Sequence, residues 1–120
     1  METPNYRKLI VWQKAHSNAL LLIEILDEGH IKFSRLIGQC MSAATSIGAN
    51  IAEGNCGHTV REKKRYFEIA LNSSYELDNW LQVFKDSKTI CCDKNKLLRA
   101  EQQNVEVIKI LSKLISSLNS

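Results

Sequence analysis

Ser42-Ala43-Ala44-Thr45-Ser46-Ile47-Gly48-Ala49-Asn50-Ile51-Ala52-Glu53-Gly54 is the stretch that decides the fold. Its apolar positions Ala43, Ala44, Ile47 and Ile51 recur at three- and four-residue intervals, the period of a helix face. Most of its side chains are small, so a neighbouring helix can approach closely along much of its length. A second row, Ser46, Asn50 and Glu53, has the same spacing but is polar. A small-residue strip beside a polar ladder suits a helix enclosed on several sides, where each polar atom needs a partner. The expectation is that this ladder is structural and that the chain has no catalytic residues.

Outward from this segment the chain reads as helix throughout. Residues 1–8 are polar, hold the only proline (Pro4) and read as an extended arm, ahead of a single domain over 9–120. Periodicity predicts helices at about 10–28, 34–54, 59–87 and 93–118. In the first, Trp12, Ala15, Ala19, Leu22 and Leu26 form the buried stripe, while Leu20, Leu21, Ile23 and Ile25 make it apolar almost all round. That surplus points to self-association. Gly29 reads as its C′ residue and Ser34 as the cap of the second helix. Gly48, inside the second helix, costs up to about 1 kcal/mol against alanine, which close packing or a bend would offset. Thr59-Val60-Arg61-Glu62 fits a capping box, with Thr59 accepting from the Glu62 amide and Glu62 returning to the Thr59 amide. Phe67, Ala70, Leu77, Leu81 and Phe84 mark the core stripe of the third helix. Asp93 caps the fourth, whose stripe reads Leu97, Val105, Ile108, Leu111, Ile115 and Leu118. Four helices with short connections imply an all-α, antiparallel up-down-up-down bundle.

Composition limits function more than it defines it. The net charge of +3 permits an anionic partner without requiring one. Cys40, Cys56, Cys91 and Cys92 read as thiols of a reducing cytoplasm, because Cys91 and Cys92 are adjacent and Cys40 lies on an apolar face. Met1 to Gln13 lacks a secretory leader's apolar run, and no stretch reaches membrane-span length. The chain is therefore expected to be cytoplasmic, with no membrane partner, no cofactor and no small-molecule substrate.

The basic run Arg61-Glu62-Lys63-Lys64-Arg65, at the start of the third helix, is the strongest candidate for a functional contact. Four cations there favour phosphate, as do backbone amides at a helix N-terminus, and Arg7 and Lys8 in the arm add to them. The plainer reading is an ordinary solvated helix face. Asn50 and Glu53 would make a catalytic pair only if a nucleophile or histidine shared their face, and none does. Cys56-x-His58 with Cys91-Cys92 lacks zinc-ligand spacing, so no metal site is expected.

Tyr6-Arg7-Lys8-Leu9 with Val11-Trp12-Gln13-Lys14-Ala15, Ser46-Ile47-Gly48-Ala49-Asn50-Ile51-Ala52-Glu53-Gly54, and Ile69-Ala70-Leu71 with Glu76-Leu77 carry a resemblance. These residues resemble the 23S rRNA intervening-sequence protein family, also called S23 ribosomal or four-helix bundle proteins. The resemblance implies a small bacterial four-helix bundle assembling as a ring-like homo-pentamer, of unestablished biochemical role. Family members usually carry one or two arginines after the helix-two glutamine. Here Gln39 is followed by Cys40-Met41-Ser42, which removes the cations an RNA contact on that surface would use. Gly48 stands where the family has proline, and Asn72 where it has a small residue. The reading is thus a non-enzymatic, self-assembling bundle that contacts RNA or a ribonucleoprotein through its basic patch. The alternative is a protein-binding adaptor using the apolar faces of helices one and four, without nucleic acid.

Overall fold

A computed structural model describes residues 3–27 and 33–119. Within them the chain forms a short 3-10 helix, Asn5–Lys8, and four α-helices: α1 Ile10–Leu26, α2 Ser34–Asn55, α3 Val60–Asp86 and α4 Lys94–Leu118. No strand occurs among the described residues. Each helix packs on the next and α4 returns to α1, closing an all-α four-helix bundle. The predicted C′ residue Gly29 lies outside the described residues.

The α2–α3 pair is the most extensive in the bundle. Cys40, Ala43, Ala44, Ile47, Ile51 and Gly54 are buried on α2. The buried side of α3 carries Phe67, Ala70, Ser73, Ser74, Leu77, Leu81 and Phe84. Gly54 lies directly against the Phe67 ring: a Cβ there would come within 2.6 Å of Phe67 Cε1 and 2.8 Å of Cδ1. Gly48 differs, because its Cβ would rest 3.5 Å from Trp12 Nε1, an ordinary contact distance.

Two buried amides cross the core. Asn18 Nδ2 donates to the Ala100 carbonyl at 3.0 Å, and Asn104 Nδ2 donates to the Ser74 carbonyl at 2.8 Å. These ties fix the height of α4 against α1 and α3, since a slip of one turn would strand both donors in the core. The sequence stripe on α4 needs correction accordingly. Ala100, Asn104 and Val107 are buried there, whereas Val105 is 38% exposed. On α1, Val11, Asn18 and Ile25 are buried, while Trp12 and Ala19 are half-buried at its flank. Lys14–Glu106 at 2.6 Å and Lys96–Glu24 at 2.7 Å strap α1 to α4 outside the core. The hydrogen bond from each lysine, then its charge, holds these two carboxyls below the ordinary 4.5.

Helix ends follow local chemistry, with three corrections. Asp93 Oδ1 accepts from the Asn95 and Lys96 amides at 3.0 and 3.2 Å, capping α4. Ser34 is the first residue of α2 and not its cap: Phe33 occupies that position and caps nothing through its side chain. The arm is not extended. Asn5–Lys8 coils as a 3-10 turn after Pro4, whose φ of −53° suits a turn. That turn is held by Gln13 Nε2 donating to the Arg7 carbonyl at 2.9 Å and by the Tyr6 ring edge-on to Trp12 at 5.2 Å. The capping box at Thr59 differs as well, in the amide to which the Glu62 carboxylate returns.

Gly48 and Gly54, both within α2, separate by their surroundings. Gly54→Ala is expected to destabilise by about 1–3 kcal/mol, because the Phe67 ring must be displaced from a close-packed core. Gly48→Ala is expected to be neutral or to stabilise by up to about 1 kcal/mol through helix propensity. Chemical denaturation of the two variants checks the contrast. Equal effects would contradict this account of α2–α3 packing.

Candidate functional site

Up-down-up-down order brings the start of α1, the end of α2 and the start of α3 to one end of the bundle. The 3-10 turn packs on both α1 and α2 at that end. Arg7 and Lys8 therefore share an end with Arg61, Lys63, Lys64 and Arg65, which sequence distance alone does not show.

The head of α3 is built by its cap. Thr59 Oγ1 accepts from the Glu62 amide at 3.1 Å, as the capping box requires. The return bond differs from the expectation: Glu62 Oε2 accepts from the His58 amide at 2.9 Å, one residue before Thr59. The carboxylate thereby wraps the α2–α3 turn as well as the helix start. It also places a negative charge at the amides that were expected to favour phosphate, so anion contact here falls to the side chains.

Those side chains are not equivalent. Lys63 Nζ donates to the Asn55 carbonyl at 3.2 Å, satisfying the end of α2. Lys94 serves α3 in the same way, donating to the Lys85 carbonyl at 2.8 Å. Lys64 stands 3.9 Å from Glu68 in an exposed i,i+4 pair, worth only a few tenths of a kcal/mol. Arg61 and Arg65 are exposed and make no hydrogen bond or ion pair among the described residues. Arg7 lies over the Tyr6 ring, 5.9 Å from its centroid, and Lys8 is exposed. Four candidate cations on α3 thus resolve into two arginines one turn apart, one weakly held lysine and one lysine used for capping.

The polar ladder on α2 also divides. Asn50 Nδ2 donates to the Ser46 carbonyl at 2.8 Å and to Ser46 Oγ at 3.0 Å. Ser46 Oγ in turn meets Ser73 Oγ of α3 at 3.0 Å, so the hydroxyls bridge the tightest helix pair. Glu53 does not join them. It sits in the last turn of α2, beside the α2–α3 turn, where solvent reaches it. With Cys56, His58, Arg65 and Tyr66 it lines an open recess of about 300 Å³.

Among the described residues, Cys56 and His58 do not converge with Cys91 and Cys92. Cys56 and His58 lie at the α2–α3 turn, whereas Cys91 and Cys92 lie in the α3–α4 connection. The 27 residues of α3 separate these two ends by about 40 Å at 1.5 Å per residue. Among the described residues no group of three or more His, Cys, Asp or Glu is placed to hold a metal ion. His16 stacks on Trp12 with ring centroids 4.6 Å apart. Among the described residues no helix is long and apolar enough to cross a membrane.

The family model for the 23S rRNA-intervening sequence protein matches residues 7–113, from the arm through most of α4. The chain belongs to this family. No curated protein matches it. Among solved structures, it is similar to a protein of unknown function from the S23 ribosomal protein family of Bacteroides thetaiotaomicron. The TM-score is 0.78 at 21% identity, over 89% of this chain and 96% of that one. At that identity the likeness carries the fold and no more. The family's Asn50-Ile51-Ala52-Glu53-Gly54 run therefore divides by geometry: Asn50 anchors the hydroxyl bridge, Gly54 admits the Phe67 ring, and Glu53 faces the recess.

Burial separates the thiols chemically. Cys40 is fully buried, and burial pushes its thiol up to about 12. Cys56 is exposed in the recess. At pH 8 a thiol-disulfide reagent is expected to modify Cys56 rapidly and to leave Cys40 untouched until the chain unfolds. Peptide mapping after brief labelling checks this, and early modification of Cys40 would contradict the core assignment.

Proposed function

We propose that this chain is a non-catalytic, self-associating helical module that contacts RNA at the α2–α3 end of the bundle. The observation supporting the RNA contact is that Arg61 and Arg65 are exposed, one turn apart and without partners, beside Lys64 and on the same end as Arg7 and Lys8. Guanidinium groups suit phosphate because they donate in a planar fork and stay charged. One copy offers few such contacts, so assembly matters: repeating the patch on every subunit of a ring multiplies weak contacts into useful avidity. A ring of five is what resemblance to the family suggests.

Self-association is supported by Leu20 and Ile23 on α1 and by Leu98 and Val105 on α4, which are 55%, 52%, 47% and 38% exposed. The same side chains favour a second reading, an adaptor that docks another protein and touches no nucleic acid. Sedimentation separates the two. Self-association gives a mass that is a multiple of the 13.6 kDa chain, whereas the adaptor stays at that mass until its partner is added.

For the RNA contact, binding to a single-stranded oligonucleotide is expected at low salt and is expected to weaken as salt rises. Arg61→Gln with Arg65→Gln removes two phosphate contacts and lowers the slope of log K against log salt by about 1.4, at ~0.7 per contact for single strands. An unchanged slope, or no binding at about 50 mM salt, would rule out this surface.

A further inference from the structure

The recess at the α2–α3 turn holds opposite charges that the fold leaves open. Glu53 and Arg65 both line it, neither has a hydrogen-bond or ion-pair partner among the described residues, and they do not pair with each other. Glu62 reaches the same space, but its carboxylate is engaged by the His58 amide at 2.9 Å. Gly57 keeps the rim low: a Cβ there would come within 3.2 Å of the Gly54 carbonyl oxygen and of Lys63. Tyr66, half-buried, supplies an aromatic wall. About 300 Å³ is more than one purine base occupies. The features gathered here are an acceptor pair, an aromatic surface and a guanidinium beside a second one, Arg61, a turn earlier on α3.

We propose that this recess seats one unstacked guanine of a single-stranded RNA, a proposal that rests on the RNA contact above. Glu53 accepts from guanine N1–H and N2–H, the base lies against Tyr66, and Arg65 with Arg61 meets the adjoining phosphates. The chemistry selects this base. Guanine alone presents two adjacent donors on its pairing edge, matching the two oxygens of a carboxylate. Adenine and cytosine set an acceptor nitrogen next to their amine, against the carboxylate's charge, and uracil flanks its one donor with two carbonyls. A single strand is required because a base must leave its stack to enter a pocket and to expose that edge. Aromatic and arginine surfaces are the usual receptors for such a base.

The test uses the full chain and nine-nucleotide oligouridines carrying uridine, adenosine or guanosine at the centre, followed by fluorescence anisotropy at low salt. The guanosine oligonucleotide is expected to bind about tenfold more tightly than the other two, within the range of a good bidentate base contact. Glu53→Gln is expected to erase that preference while leaving oligouridine affinity within about twofold. Glu53 is exposed, so the variant should keep its helical circular dichroism, which is checked first. Equal affinity for all three strands, lost on Arg61→Gln with Arg65→Gln, would overturn the guanine seat and leave the RNA contact standing. No binding of any strand would remove both. A guanosine preference that survives Glu53→Gln would overturn the assignment of Glu53. Guanosine monophosphate that binds as tightly as the guanosine strand would make the ligand a free nucleotide, and displacement by free glutamate alone would make it a zwitterion; either overturns the proposal.

Discussion

Close approach of α2 to α3 is the constraint on which the other features depend. Gly54 has no side chain, so the Phe67 ring occupies the space a Cβ would need, at 2.6 Å from its nearest carbon. Further along the same pair, Ser46 and Ser73 bring their hydroxyls to 3.0 Å, and Asn50 braces Ser46 from one turn away. Small residues let the backbones approach, and short, part-buried polar side chains then satisfy one another across the seam. The pairing also sets the site. It fixes where α2 must stop and α3 begin, and so holds Glu53, His58, Arg65 and Tyr66 around one recess at the turn.

The α1–α4 side is secured by different means. Beside its buried apolar residues it carries one buried amide tie, Asn18 to Ala100, and its outer edge carries two lysine–glutamate straps. Exposed straps add little net stability each, because solvent screens them and ordering long side chains costs entropy. Asn18 and Asn104 leave their Oδ1 atoms buried without a partner among the described residues. An unpaired buried polar atom costs about 1–3 kcal/mol, so these amides are poor sources of stability and good determinants of register. The bundle thus has a tight half, α2–α3, and a half aligned by a few directional contacts. Apolar side chains remain exposed on α1 and α4, and on α3 as well.

Family membership brings an architecture to this chain and no chemistry. What distinguishes the surface is how its charges are used. Lys63 and Lys94 satisfy helix-end carbonyls, Lys14 and Lys96 join helices, and Arg61 and Arg65 are left unengaged. A basic run in sequence is therefore not one electrostatic object. Some of the chain's cations are taken up by nearby carbonyl or carboxylate oxygens, and others are left to solvent.

The amino-acid sequence determined by itself the four helices and their core faces on α2 and α3, because a 3.6-residue period and small-residue spacing are local signals. It also determined the caps at Thr59 and Asp93, since each cap oxygen and its amide lie within three residues. Only the tertiary structure decided that Asn18 and Asn104 are core residues, because an asparagine reads as surface until a carbonyl 82 or 30 residues away is shown to receive it. The coiling of the arm belongs there too, as it depends on Tyr6 finding Trp12. So does the separation of Glu53 from the ladder its spacing suggested: periodicity assigns a side chain to a face, but the course of the neighbouring helix decides whether that face is covered.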